Sequence, residues 1–249
     1  MKIILSPAKK MITDTDSIAP VTLPEFIDKT TEILNWLKDR SKEELKAIWK
    51  CNDKILEQNF NRLENMNLYR MLTPAVLSYE GIAFQYMAPS VFEDMQFEYV
   101  QNHLRILSAF YGVLKPMDGV TPYRLEMQAK VGIGDAKNLY EYWGDLLYRS
   151  VIDDSRIIIN LASKEYSKCI EKYLIPQDRY ITVTFCELSG DKLVTKGTCA
   201  KMARGEMVRF MAENNIENPV EIQKFDRLGY FFRSDLSSAT EYVFERKIE

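Results

Sequence analysis

The chain opens with "KIILSPAKK", where the apolar run Ile3 to Leu5 predicts a short strand, Lys2 to Leu5, that stops at a Ser-Pro turn. The texture then turns helical. In "LPEFIDKTTEILNWLKDR" the apolar residues Phe26, Ile27, Ile33, Leu34 and Leu37 recur near the 3.6-residue period. Ser41 with Glu44 three residues on has the capping-box pattern, and Asn52 or Asp53 is placed to cap a third helix. Pro74 opens "PAVLSYEGIAFQYM" as a first-turn proline, and "SVFEDMQFEYVQNHL" predicts a further helix.

After residue 104 the pattern mixes. Arg105 to Ser108 reads as a short buried strand followed by turns. In "YRLEM", Tyr123, Leu125 and Met127 alternate with Arg124 and Glu126, which predicts a strand carrying both charges on one face. "NLYEYWGDLLYRSVIDD" reads as one helix, and the continuous run "RIIIN" as a strand buried on both faces. Ser163 is placed to cap "KEYSKCIEKYL". "RYITVTFCELSGDKLVTKG" predicts a hairpin turning at Gly190-Asp191, with glycine first as a type II′ turn requires. A long helix around "AKMARGEMVRFMAENN", a short helix from Pro219 and two final strands complete the chain. Helices and strands interleave without repeats or linker-like tracts. The expectation is one α/β domain over residues 1–249, in which 24–103 could form a helical lobe.

Composition narrows the function. At 249 residues and 46% hydrophobic, the chain can bury a sizeable core. Its net charge of −3 excludes a basic coat for nucleic acid, so any polyanion must meet a local patch. The cysteines Cys51, Cys169, Cys186 and Cys199 are widely spaced and contain no C-x-x-C pair, the usage of a reducing compartment. No apolar run approaches a membrane span, and the opening run is too short for a signal peptide, so a cytoplasmic protein is expected. The single histidine, His103, excludes two-histidine metal sites and leaves room for only one His-dependent catalytic pair. At a helix-to-strand junction it reads as a packing residue. No metal and no cofactor are expected.

The candidate chemistry lies in basic residues. With Lys201 at zero on a helical wheel, Arg204 falls at about 300°, Gly205 at about 40° and Arg209 at about 80°. The apolar residues Cys199, Ala203, Met207, Phe210 and Met211 fall opposite. A glycine inside a helix costs roughly 1 kcal/mol relative to alanine. Inside this basic arc, Gly205 would let a phosphate approach the backbone closely. Ordinary solvation of the face, or packing of the glycine on a neighbouring element, explains the same pattern. From Lys192 to Arg209 the sequence holds five basic residues and one acid. The order helix, "NNIEN", Pro219 and short helix has the layout of a helix-hairpin-helix without its usual glycines. "VGIGDAKNLY" has such a glycine pair but lacks a preceding helix, and reads as a strand-to-helix turn. Ser6, Lys9 and Arg124 would make a phosphate pocket if the fold gathers them. Glu126 should pair with a base, Arg124 or Arg204.

"ILSPAK", "LRILSAFYGVLKPMDGVTPYRLEM", "LYEYWGD", "INLASKEY", "KMARGEMVRF" and "GYFF" occur in this order and near these spacings in one family. By them the chain resembles the YaaA family of bacterial peroxide-stress proteins, from Lys2 to the C-terminus. The most specific parts are Pro122 to Met127 and Ala203 to Gly205. Gln128 and Met202 depart from the family pattern, the latter costing one positive charge. The resemblance implies a single domain of unusual topology, a mixed sheet with surrounding helices and a helix-hairpin-helix-like element. It implies a positively charged cleft that binds double-stranded DNA without sequence preference and limits oxidative damage. The DNA- or anion-binding positions carried over are Lys9, Arg124, Lys201, Arg204, Gly205 and Arg209. Ser6, Pro7, Tyr123, Glu126, Asn160, Ser163 and Glu165 support the cleft. A monomer is expected, with no membrane partner. The alternatives are an enzyme acting on a phosphorylated small molecule or nucleotide through Lys9, Arg124, Glu126 and Arg204, and a partner protein with no ligand site. An open groove along Lys201, Arg204 and Arg209 favours the polynucleotide; a closed pocket around Glu126 favours the enzyme.

Overall fold

The computed structural model describes residues 1–190 and 192–247. The opening apolar run forms β1 (Lys2–Leu5), whose Ile3, Ile4 and Leu5 are wholly buried. Three amphipathic helices follow: α1 (Ile27–Lys38), α2 (Lys42–Trp49) and α3 (Asp53–Glu64). The capping box of Ser41 and Glu44 starts α2, and the Asn52 side chain caps α3 by accepting from the Ile55 N–H. After β2 (Thr73–Pro74), the apolar stretch expected as one helix splits at Gly81 into α4 (Ala75–Ser78) and α5 (Ile82–Met87). Then come α6 (Asp94–His103), β3 (Leu104–Ser108), β4 (Gly112–Leu114) and β5 (Gly119–Val120).

Residues 121–126 form no strand. Burial alternates there as the sequence pattern requires, but no neighbouring strand completes a ladder. The next helical stretch breaks at Gly144, whose φ of +52° ends α7 (Leu139–Trp143) before α8 (Leu146–Val151). β6 (Ile157–Asn160), α9 (Lys164–Glu171), β7 (Arg179–Ser189) and β8 (Lys192–Val194) follow. β7 and β8 pair antiparallel, as the hairpin pattern predicts, with Ser189 opposite Lys192. The turn type cannot be compared, because Asp191 lies outside the described residues. The long basic helix is α10 (Gly197–Glu213); Pro219–Lys224 is a 3₁₀ segment, and β9 (Tyr230–Phe232) and β10 (Glu241–Arg246) end the chain.

The main sheet runs β4-β3-β1-β6-β7-β10-β9, with β8 paired to β7. β1 is parallel to both β3 and β6, β6 to β7, and β7 to β10; the outer pairs are antiparallel. The chain leaves β1, returns as β3 on one side of it, and later as β6 on the other. This reversal opens a crevice beyond the carboxyl ends of the central strands, the usual ligand position in such sheets. The fold is thus a mixed α/β domain built on a mostly parallel sheet. No described helix is long and apolar enough to cross a membrane.

Gly205 overturns the expectation of a phosphate at the helix backbone. α10 crosses α5 so closely that a β-carbon at Gly205 would overlap the Ala83 carbonyl oxygen and lie 2.7 Å from its carbon. The glycine is buried, and its missing side chain admits a neighbouring backbone. Because Ala83 presents main chain, the clash cannot be relieved by a rotamer change. Gly205→Ala should therefore lower stability by about 2 kcal/mol or more, despite the better helix propensity of alanine. Urea unfolding measures it; an unchanged midpoint would mean that the two helices can separate freely.

A second constraint fixes the entry to β7. The Asp178 carboxylate accepts from the Ile175 N–H (2.9 Å), the Tyr148 hydroxyl (2.7 Å) and Arg156 (2.5 Å). Burial alone would raise its pKa, but these three donors outweigh it and hold the carboxyl below its ordinary value. A depressed carboxylate stabilises the fold above its unfolded pKa of about 4, and that contribution is lost as pH falls further. Asp178→Asn should therefore destabilise the protein at pH 7. Between pH about 4 and the acid transition, the variant's stability should fall less steeply than that of the parent.

Candidate anion-binding cleft

The loop leaving β1 sets one wall of the cleft. Ser6 accepts the Ser163 N–H at 2.8 Å and donates to the Ser163 hydroxyl at 3.1 Å. Ser163 precedes α9 but does not cap it with its side chain. Its hydroxyl is committed to the β1 loop instead, which ties the carboxyl ends of β1 and β6 together. The loop then runs beside the α4–α5 turn. The Glu80 N–H donates to Lys10 O at 2.9 Å, and a β-carbon on Gly81 would lie 2.6 Å from that of Ala8. This close approach explains the break in the helical pattern at Glu80-Gly81.

These segments, with residues 125–126, the start of α9 and one face of α10, enclose a cleft of about 400 Å³. Its apolar lining includes Pro7, Ile82, Phe84, Leu125, Leu161 and Tyr166. Four cations and three carboxylates line it as well. The Lys9 ammonium lies against Glu126, and Lys10 pairs with Glu80 at 2.8 Å. Lys201, Arg204 and Glu165 have no ion-pair partner among the described residues. Glu165, in the first turn of α9, accepts the Gln128 N–H at 3.3 Å. Burial raises its pKa above the ordinary carboxyl value, and the neighbouring charge of Glu126 adds to the rise.

Arg204 is the unusual group. It is half-buried, and its Nε is shielded from solvent with no hydrogen-bond partner. Burial pulls the guanidinium below its ordinary value, yet an arginine side chain remains charged at neutral pH. A guanidinium N–H shielded from water without a partner is costly, and an anion entering from the cleft would offset that cost.

The expected residues therefore divide. Ser6, Pro7, Lys9, Glu126, Ser163, Glu165, Lys201 and Arg204 meet at the cleft. The expectation that Glu126 pairs with a base holds, with Lys9 in place of Arg124 or Arg204. Arg124 turns away, donating through Nε and Nη2 to Trp49 O at 3.3 and 3.4 Å. Arg209 pairs with Glu213 at 2.7 Å. Tyr123 is a core residue, with its hydroxyl bonded to Ser108 and Tyr79 and its ring stacked on Phe110. Asn160 shapes the turn after β6 by accepting the Ala162 N–H. The continuous basic face drawn on the wheel is therefore interrupted. Nor is the second limb of the expected helix-hairpin-helix an α-helix: it is the 3₁₀ segment Pro219–Lys224, with Pro219 and Ile222 buried.

Two groups stand apart from the cleft chemistry. His103 donates from its Nδ1–H to Met1 O (2.9 Å), stacks on Tyr99 and lies 3.0 Å from Glu217. Burial pushes the Cys169 thiol up to about 12 and raises Cys186, which makes both poor nucleophiles.

If Arg204 is held at a cost, its apolar near-isostere should be tolerated better than the parent residue. Arg204→Met is expected to raise the urea midpoint. A fall in the midpoint would show that the guanidinium has a structural partner in solution.

The family described as peroxide stress protein YaaA matches residues 1–236 of the chain. A UPF0246 protein of Agathobacter rectalis is 84% identical over 248 residues, which span 100% of both chains. A UPF0246 protein of Lachnoclostridium phytofermentans is 55% identical, over 98% of this chain and 96% of its own. One from Ligilactobacillus salivarius is 51% identical, over 98% and 99%.

Proposed function

This chain belongs to the peroxide stress protein YaaA family, and we propose that it serves that response in the cytoplasm by binding DNA at the cleft, limiting oxidative damage there. The observation that carries this reading is Arg204, a half-buried cation without an anion, facing a cleft that also presents Lys201. A phosphodiester supplies the missing counterion. Because phosphates carry no sequence information, binding through them is indifferent to sequence.

The charge balance keeps the contact small. Lys9 and Lys10 are already matched by Glu126 and Glu80, which leaves Lys201 and Arg204 as the cations available to a phosphate. Arg209, on its own carboxylate, contributes little. The expected footprint is about two phosphates, and the slope of log affinity against log salt should be near −2 for duplex DNA.

A second reading is favoured by the discrete volume of the cleft. At about 400 Å³ it is the size of a small-ligand pocket, so a phosphorylated small molecule or free nucleotide could occupy it. One titration series separates the two. Under the DNA reading, Arg204→Met weakens binding of a random-sequence duplex at least tenfold and reduces the salt slope by about 1. Arg209→Gln changes little. Saturable binding of nucleoside monophosphates with none of duplex at matched phosphate would select the second reading. Loss of duplex binding in Arg209→Gln but not in Arg204→Met would place the DNA elsewhere.

A further inference from the structure

The carboxylates of the cleft are unexplained by anion binding. A site built only to hold a phosphate gains nothing from Glu126 and Glu165, which repel it. Both lie on the wall formed by residues 125–126 and the first turn of α9, close enough for their charges to influence one another. Their surroundings differ. Glu126 has the Lys9 ammonium against it, whereas Glu165 is half-buried without an ion pair among the described residues. Two carboxyls in one cleft, one held by a cation and one without, have the arrangement from which an acid–base pair is built.

The charge of the transition state decides which bond such a pair can break. A phosphoryl transfer spreads negative charge over oxygens, which enzymes stabilise with cations and metal ions. Glu126 and Glu165 themselves would stand against the negative charge that such a transfer develops. Carboxylates instead stabilise a carbon centre that becomes positive, as in cleavage of a bond to a sugar anomeric carbon. A nucleotide unit with its phosphate near Arg204 contains one bond of that kind, between the sugar and its base. Pro7, Ile82, Leu125 and Leu161 offer the base an apolar wall.

We propose that the cleft hydrolyses the N-glycosidic bond of the nucleotide unit it binds, with Glu126 as the carboxylate beside the sugar and Glu165 as the proton donor to the departing base. This inference rests on the binding reading above. The C1′–N bond breaks, its electron pair stays on the base nitrogen, and Glu165 protonates that nitrogen. Positive charge developing at the sugar is stabilised by Glu126. One water adds its oxygen to C1′ and gives its proton to Glu126, and the surplus proton then returns to Glu165. The products are a free base and a sugar with a hydroxyl at C1′. Lys9 is a positioning residue whose ammonium holds the Glu126 carboxylate in place. The unit could be a nucleotide extruded from duplex DNA or a free nucleotide, since the recognising chemistry is the same.

The test uses the full chain with two probes, a duplex treated with hydrogen peroxide and a similarly treated mixture of four deoxynucleoside 5′-monophosphates. Free base is read by mass spectrometry, and binding is read in parallel. Release from the duplex supports the inference with DNA as source; release from the monophosphates alone supports it with free nucleotides as source. Glu165→Gln and Glu126→Gln should each cut release about 100-fold or more while leaving binding unchanged or tighter. Binding of either probe without base release from the parent protein overturns this inference and leaves the binding reading standing. Binding of neither probe overturns both. Release undiminished in both variants overturns the assigned roles, whatever the variants' stability.

Discussion

The architecture depends on β1 being hydrogen-bonded in parallel on both sides. Four residues place a buried strand between β3 and β6, although these partners lie about a hundred and a hundred and fifty positions further along the chain. Parallel neighbours require crossovers, so the intervening helices follow as a necessity. The same pairing brings Ser6 next to Ser163 and opens the crevice at the carboxyl edge. The cleft is thus a product of sheet topology, and its residues come from five separate stretches of sequence.

That origin explains how much of the fold and site could be read beforehand. Strands with strong local signals, such as Ile157–Asn160 and the β7–β8 hairpin, were legible from apolar runs and turn residues. So were the capping box of Ser41 and Glu44 and the cap at Asn52, because capping is a contact within four residues. Residues 123–127 show the limit. Their alternation correctly distinguishes buried from half-buried positions, but a strand exists only when a partner lies alongside, and partners are not local. The breaks at Gly81 and Gly144 were missed for a similar reason: periodicity continues across a glycine that the backbone uses to turn.

The site was legible by residue type more than by geometry. A helical wheel places Arg204 and Arg209 in one basic arc. It cannot show that Glu213, one turn on, takes Arg209, or that Trp49 O takes Arg124. Glu80 and Tyr166 were not singled out at all. The available hint for Glu80 was its position before a glycine inside an otherwise helical stretch. Lys9 and Glu126 were each suspected, but their pairing depends on where the 121–126 segment lies, which only the fold decides.

The contact of α10 with α5 through Gly205 and Ala83 bears on how the cleft can work as a mechanical object. The wall carrying Lys201 and Arg204 and the wall formed by residues 81–84 meet backbone to backbone, with no side chain between them to act as a spring. A contact this close resists sliding of one helix past the other, so the two are expected to move as one jaw whose aperture is set when the chain folds. Size selection is therefore expected to be steric, made at the threshold, and the parts left to yield are the long arms of Lys9 and Lys10 on the loop beside residues 80–84. Ligands of different shape should be told apart by how fast they arrive and leave past those arms, with little deformation of the helices behind them.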